Sequence, residues 1–277
     1  MDDLTCALLS LAKQAGKAIL SHYQTGEPYR IKSDQSPVTA ADMQADQLLQ
    51  AGLQCLTPNI PILSEESEAI MMRAQLSPAQ YWLIDPLDGT REFIAGTDEF
   101  TVNIALMEQD QAVRGVVYAP VLQWAYFAVQ GQGAYKQQVD EHPVRIQTRR
   151  RVADTPLKIT LSRHHHVDEK LARFLRTTEI ADENIHLAPH GSALKFGLVA
   201  EGMMDIYPRF GTTAIWDTAA GQCILEAAGG QLLGEQGSPL RYPLDATLKN
   251  PSFLAVGDAD YPWSEHWRQF LSVEDKC

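Results

Sequence analysis

The sequence predicts a mixed α and β fold in two connected halves, and three observations carry that expectation. Apolar residues recur at helical spacing near the N-terminus and again in the second half. Short apolar runs of strand length crowd residues 62–129. A polar segment, 147–154, with Arg149, Arg150 and Arg151, then separates a strand-rich half from one in which strand and helix patterns alternate.

The first helix is expected from Leu4, Leu8, Leu11, Ala15 and Ile19, spaced by threes and fours. Ser36-Pro37 marks a break. A second helix is expected from near Thr39, with Ala45, Leu48, Leu49 and Leu53 on its apolar side, and Pro58 and Pro61 end that region. Residues 62–63, 81–84, 101–107, 113–119 and 124–129 read as strands, the last three close enough for an antiparallel meander. Gly131-Gln132-Gly133 reads as a hairpin turn, since the strand-then-helix setting of a dinucleotide fingerprint is missing. Beyond the arginines come a strand at 157–161, helices at 167–175 and 192–200, and a strand at 204–207. A helix at 217–228 follows, stopped by Gly229-Gly230, then a strand at 231–233 and a last helix at 263–271. The expected division is 1–150, an N-terminal α+β subdomain with an antiparallel sheet, and 151–277, a C-terminal α/β subdomain.

Composition narrows the function. The chain has 277 residues, 45% hydrophobic and 21% charged, enough for a sizeable core and ordinary for a globular protein. Cys6, Cys55, Cys223 and Cys277 form no C-x-x-C pair, which argues against a zinc site or a disulfide framework. A net charge of −12 disfavours a nucleic-acid polymer as partner, because such binding relies on Lys and Arg meeting phosphates. A small anionic substrate stays compatible, since a bound cation reverses the local field. No apolar run approaches the roughly 20 residues of a membrane-spanning helix. Asp2 and Asp3 stand where a signal peptide carries basic residues, and Lys13 and Lys17 interrupt the apolar part. A cytoplasmic location is expected, with peripheral contact at the inner membrane left open.

The chemistry concentrates in Asp85-Pro86-Leu87-Asp88-Gly89-Thr90, after the apolar strand Trp82-Leu83-Ile84. Two carboxylates three residues apart across a tight turn can converge on one point. Like charges held so close repel, and a divalent cation resolves the repulsion. Magnesium suits an all-oxygen site and keeps waters that a phosphate can replace. Asp-Pro and Asp-Gly are also plain turn-formers, but that explains less well why acids recur elsewhere in the chain.

This segment resembles the signature of the inositol monophosphatase superfamily, the lithium-sensitive, magnesium-dependent phosphatases. Three further segments match in order: Val38-Thr39-Ala40-Ala41-Asp42, Ser64-Glu65-Glu66-Ser67 and Trp216-Asp217-Thr218-Ala219-Ala220-Gly221. The resemblance implies a layered α-β-α-β-α sandwich of the inositol monophosphatase and sugar phosphatase type. It implies two to three Mg2+ ions held by Glu65, Asp85, Asp88, Asp217 and the Leu87 carbonyl. It also makes Asp42 and Thr90 the catalytic pair that activates water, with Glu65, Gly89, Thr90 and Asp217 against the substrate. Two roles stand side by side for Asp42, since Thr39-x-x-Asp42 also fits a helix capping box. Asp217 can likewise cap the helix that follows and still bind a cation.

Several features are similar to the bacterial 3'(2'),5'-bisphosphate nucleotidase branch: Thr90-Arg91-Glu92-Phe93, Gly191-Ser192-Ala193-Leu194-Lys195-Phe196, Leu198-Val199-Ala200-Glu201-Gly202 and Tyr207-Pro208-Arg209-Phe210-Gly211. That likeness implies hydrolysis of 3'(2')-phosphoadenosine 5'-phosphate to AMP and phosphate, and a role in sulfur assimilation. An inositol monophosphate or another sugar or polyol phosphate is the alternative substrate. It further implies nucleotide contacts from Ser192, Lys195, Arg209 and, within His164-His165-His166, His165. Ser192 and Lys195 are three apart and are expected on one helix face. In isolation an N-cap serine, an exposed helix lysine and a surface arginine are each the better reading. A catalytically silent regulatory protein fits the complete acidic set poorly, and no loop has the ligand spacing of an EF-hand calcium module.

Overall fold

The computed structural model describes residues 1–26, 28–31, 37–67, 80–139, 141–152, 155–163, 169–243 and 248–274. Helix α1 (Asp3–His22) is capped by Asp2, whose side chain accepts from Thr5 N at 2.8 Å. A small pair, β1 (Arg30–Ile31) and β2 (Pro37–Val38), leads into α2 (Ala40–Leu56), which Thr39 caps. These two helices pack together through Leu8, Leu11, Ala15, Ile19, Ala45, Leu49 and Leu53, all buried, as their spacing predicts.

Under them lies a seven-stranded sheet. Its strands are β3 (Ile62–Ser64), β4 (Gln80–Asp88), β5 (Thr101–Glu108), β6 (Gln111–Ala119), β7 (Trp124–Val129), β8 (Gly133–Gln138) and β9 (Val144–Ile146). They lie side by side in sequence order, antiparallel throughout except for the parallel β3–β4 pair. The expected meander is present and extends two strands further, with the Gly131-Gln132 turn joining β7 to β8. Helix α3 (Thr90–Ala95) leaves directly from the end of β4.

The second sheet follows residue 156 in β10 (Leu157–Ser162). Next come α4 (Glu169–Thr178), β11 (Ile185–His190), α5 (Leu194–Ala200) and β12 (Ile206–Arg209). The short strand β13 (Thr213–Ala214), α6 (Ile215–Ala227), β14 (Gln231–Leu233), β15 (Lys249–Asn250), β16 (Phe253–Val256) and α7 (Trp263–Glu274) complete the described chain. The sheet order is β11-β10-β12-β16-β14, with β10 parallel to both neighbours and the other pairs antiparallel.

Strand alternation then builds the layers. Along β12, β14 and β16, Tyr207, Leu232, Phe253 and Ala255 face α5, α6 and the first sheet; Ile206, Leu233, Leu254 and Val256 face α4 and α7. The result is helices α1 and α2, sheet, helices α5 and α6, sheet, helices α4 and α7, the expected five-layer sandwich. The change of sheet falls between Ile146 and Leu157, yet one core cluster holds residues of both halves, from Leu83 and Val117 to Ile224 and Phe253.

Two expected helix starts shift. The helix expected at 192–200 begins at Leu194, because Ser192 adopts φ 45° and Ala193 is the cap. The helix expected from Asp217 begins two residues earlier. Strands β11 and β16 have no counterpart in the sequence reading: β11 is a half-exposed edge without apolar alternation, and β16 offers only four buried residues. No helix among the described residues is long and apolar enough to cross a membrane.

An ion pair ties the first sheet to the middle layer. Lys136 Nζ of β8 lies 2.7 Å from Glu201 Oε2 just beyond α5, with 11% and 13% of the side chains exposed. The Tyr126 hydroxyl donates to Glu201 Oε1 at 2.8 Å. Removing one partner of a shielded pair leaves the other charge uncompensated. Glu201→Ala is expected to cost about 3 kcal/mol in urea unfolding, whereas an unchanged midpoint would mean water reaches Lys136 freely.

Candidate active site

Asp85 and Asp88 both lie on β4, which runs past Asp85 and does not end there as the sequence suggested. Residues three apart on a regular strand face opposite sides of the sheet. Here Asp85 pairs with Asn103 and Asp88 with Thr101, so β4 spends three steps where β5 spends two. That bulge brings the second acid round to the first. Gly89 then takes φ 91°, a left-handed conformation open to glycine, and the chain turns into α3 at Thr90.

The third acid comes from across the fold. Asp217 sits in the first turn of α6, where its Oδ2 accepts from Ala214 N at 2.8 Å. It is therefore an N3 residue bonding backwards, and not the N-cap. Oxygens of Asp85, Asp88 and Asp217 all lie within 4.8 Å of one another, with Asp85 buried and the other two half-buried. Glu65 is not one of these three. It extends the β3–β4 ladder through Glu65 N to Ile84 O at 3.1 Å, and its side chain hydrogen-bonds to Asp85.

Burial pushes the Asp85 carboxyl well above the usual carboxylate range, and the charges of Glu65, Asp88 and Asp217 add to it. Burial does the same to Asp217, with Asp88 and Glu65 next. Burial lifts Asp88 to about 6, although Lys195 and the Asn103 bond pull the other way. Crowded acids that resist ionisation are under-compensated, and an all-oxygen donor set of this kind fits a hard divalent cation. Asp88 Oδ2 is further held by Ala193 N at 2.6 Å, Asn103 Nδ2 at 3.2 Å and Thr101 Oγ1 at 3.4 Å.

Asp42 closes the capping box with one oxygen and meets Thr90 with the other. Its Oδ2 accepts from Thr39 N at 2.7 Å and Thr39 Oγ1 at 2.6 Å, closing the capping box. Its Oδ1 accepts from Thr90 Oγ1 at 3.1 Å. The Thr90 hydroxyl also lies 3.3 Å from the buried Leu87 carbonyl. Burial raises the Asp42 carboxyl despite the bonds from Thr39 and Thr90, which makes it a better proton acceptor.

A cavity of about 300 Å³ opens beside the acids, bounded among others by Gly89, Arg91, Glu92, Ser192, Tyr207 and Arg209. Phe196, Tyr207 and Phe253 pack ring to ring at one side, with centroids 5.4 to 5.9 Å apart. Ser192 Oγ and Arg209 Nε are buried there and lack hydrogen-bond partners. Both residues are expected to contact the substrate, and both line this cavity. Lys195 lines it as well. Its amine is buried and donates to Ser192 O at 2.6 Å and His190 O at 3.3 Å, and burial pulls its pKa down to about 8. Ser192 precedes α5 in a left-handed turn, so the two share no helix face as expected. His165 lies outside the described residues. Glu92, a buried acid on the cavity wall, is not among the residues expected at the site, although it lies within Thr90-Arg91-Glu92-Phe93.

The sequence profile of the inositol monophosphatase family matches residues 1–263. The 3'(2'),5'-bisphosphate nucleotidase CysQ of Salmonella typhimurium is 47% identical over 251 residues, covering 88% of this chain and 95% of that protein. The Escherichia coli K12 protein of the same name is 44% identical over the same shares. The crystal structure of CysQ from Bacteroides thetaiotaomicron superposes with a TM-score of 0.75 at 35% identity, covering 92% of this chain and 98% of that one. An IMPase from Thermotoga maritima, 23% identical with a TM-score of 0.76 over 99% of each chain, shares the fold.

Charge crowding predicts opposite responses of one variant with and without a cation. In chelator, Asp217→Asn keeps an acceptor for Ala214 N and loses a repelling charge. A carboxyl whose folded pKa is raised stabilises below its unfolded pKa of 3.8 and loses that contribution as pH rises through the folded value. Asp217→Asn is therefore expected to melt at or above the wild-type temperature in chelator, the more so at higher pH. With a divalent cation such as Mg2+ at 100 times its Kd the wild type is expected to gain about 2.7 kcal/mol and the variant far less. Equal magnesium shifts for the two proteins would contradict a shared cation site.

Proposed function

This chain belongs to the inositol monophosphatase family, and from that premise we propose that it is a magnesium-dependent 3'(2'),5'-bisphosphate nucleotidase, releasing AMP and phosphate from 3'(2')-phosphoadenosine 5'-phosphate. Enzymes of this family are metal-dependent, and this chain carries an acidic cluster able to hold a metal. Asp85, Asp88 and Asp217 would hold the cation, with Glu65 and the Leu87 carbonyl completing the oxygen set for two to three ions. When bound, Mg2+ supplies positive charge against the phosphate oxygens and makes water easier to deprotonate.

The chain's own residues do the rest. Thr90 gives its hydroxyl proton to the bond with Asp42 Oδ1, so its oxygen lone pairs are left to accept from an attacking water. The water proton passes to this pair, and the raised Asp42 carboxyl is suited to keep it. The water oxygen bonds to phosphorus as the bond to the ribose oxygen breaks. Gly89 and Thr90 open α3, whose first-turn N–H groups lack helical partners and face an anion favourably.

The observation that carries the substrate reading is the pair of orphaned buried donors, Ser192 Oγ and Arg209 Nε, in the cavity beside the acids. A nucleoside bisphosphate presents a second phosphate away from the reacting one. A guanidinium suits that phosphate, and the Tyr207 and Phe253 rings offer an apolar wall for the rest. An inositol monophosphate has no second anion to satisfy Arg209.

Arg209→Met is expected to raise KM for 3'-phosphoadenosine 5'-phosphate roughly tenfold or more and to leave inositol 1-phosphate turnover unchanged. Asp42→Asn should lower kcat by roughly 100-fold or more with an intact circular dichroism spectrum. The reading fails if the wild type releases phosphate from inositol 1-phosphate as readily as from the bisphosphate.

A further inference from the structure

Residues 190–193 join β11 to α5 and deliver Ser192 to the cavity, and every one of them is tied down. His190 Nδ1 lies 3.0 Å from Thr160 Oγ1. Gly191 N donates to Glu99 Oε2 at 2.7 Å. Ser192 O accepts from Lys195 Nζ, and Ala193 N donates to Asp88 Oδ2. Two ties come from the second half of the chain and two from the first. Ser192 sits at φ 45°, a region unfavourable for an L-residue that persists only where the surroundings over-determine it.

Asp88 has another task in the proposed site. Glu99 does not, since it lies outside the cation cluster and is not among the residues bounding the cavity. It precedes β5, and its Oε2 takes both Gly191 N and the guanidinium of Arg163, whose Nε donates at 2.7 Å from just beyond β10. Only 14% of its side chain is exposed. One carboxylate oxygen therefore fastens the ends of β10 and β11 to the entrance of β5. Contact is close enough that a Cβ on Gly191 would strike the Glu99 carbonyl and come within 2.9 Å of Glu92 Cγ. The turn has no room to shift towards Glu99, and the hydrogen bond keeps it from moving away.

Given the nucleotidase reading, we propose that Glu99 is a positioning residue for substrate recognition. Through Gly191 N and Arg163 it locks the 190–193 turn so that the Ser192 hydroxyl faces the nucleoside portion and second phosphate of the substrate. Glu99 itself touches no substrate. It acts on binding, because no hydrogen bond that holds the turn reaches Asp42 or Thr90, and Asp88 keeps its bonds from Asn103 and Thr101 when the Glu99 tie is removed.

The test compares Glu99→Ala, Glu99→Gln and Arg163→Met in the full chain with Mg2+. Two phosphomonoesters are assayed: 3'-phosphoadenosine 5'-phosphate and 4-nitrophenyl phosphate, which has no second anion. Glu99→Ala is expected to raise KM for the bisphosphate roughly tenfold, with kcat and the small ester's kinetics changed less than about twofold. Glu99→Gln, which keeps an acceptor for Gly191 N, should recover most of the loss. Arg163→Met should fall between the two. Amide hydrogen exchange at Gly191 provides a readout independent of substrate and should accelerate roughly tenfold in Glu99→Ala but not in Glu99→Gln. Unchanged exchange, an equal KM rise for both esters, or a Gln variant no better than Ala would overturn the role of Glu99. Wild-type protein inactive on the bisphosphate would instead overturn the nucleotidase reading, and the exchange result would then decide the clamp alone.

Discussion

The mutual repulsion of three carboxylates held within 4.8 Å of one another governs this structure. Asp85, Asp88 and Asp217 come from a strand and from a helix 127 or more residues later in the chain, so local structure alone cannot assemble them. Folding brings them together at the cost of burial and like-charge crowding, and both effects raise their proton affinity. A site that is unfavourable when empty of positive charge and favourable when filled is what cation-dependent chemistry needs.

The sandwich explains how that crowding is tolerated. A bulge in β4 turns two acids to one side, and the first turn of α6 brings the third from the middle layer. Each carboxylate is anchored by a backbone amide: Asp85 by Leu87 N, Asp88 by Ala193 N and Asp217 by Ala214 N. Those bonds orient the acids without neutralising them. The same economy appears at Asp42, which caps α2 with one oxygen and holds Thr90 with the other. The 190–193 turn repeats the pattern on the cavity side, where its ties run through the main chain and leave the buried Ser192 hydroxyl without a partner.

Much of this was legible in the sequence because local rules and family motifs coincide there. The amphipathic spacing of α1, the meander and the acid-rich turn after Trp82-Leu83-Ile84 depend on residues near one another in the chain. The capping role of Asp42 was visible for the same reason. What escaped depends on contacts between distant segments. A helix reading that continued through Ser192 could not foresee that Asp88 would claim Ala193 N and Lys195 the carbonyls before it. That a lysine lining the cavity also bonds two main-chain oxygens does not show in the sequence. Glu99 gave no signal, since its partners Arg163 and Gly191 are 64 and 92 residues away. Strand β11 was missed because an exposed edge need not alternate.

The central claim is that Asp85, Asp88 and Asp217 share a divalent cation. Anomalous diffraction from crystals soaked in Mn2+, a spectroscopically visible stand-in for Mg2+, tests it most directly. The account predicts a strong peak bonded to oxygens of all three aspartates, lost on competition with excess Mg2+. A peak that avoids them, or none at manganese concentrations that support phosphate release, would contradict it.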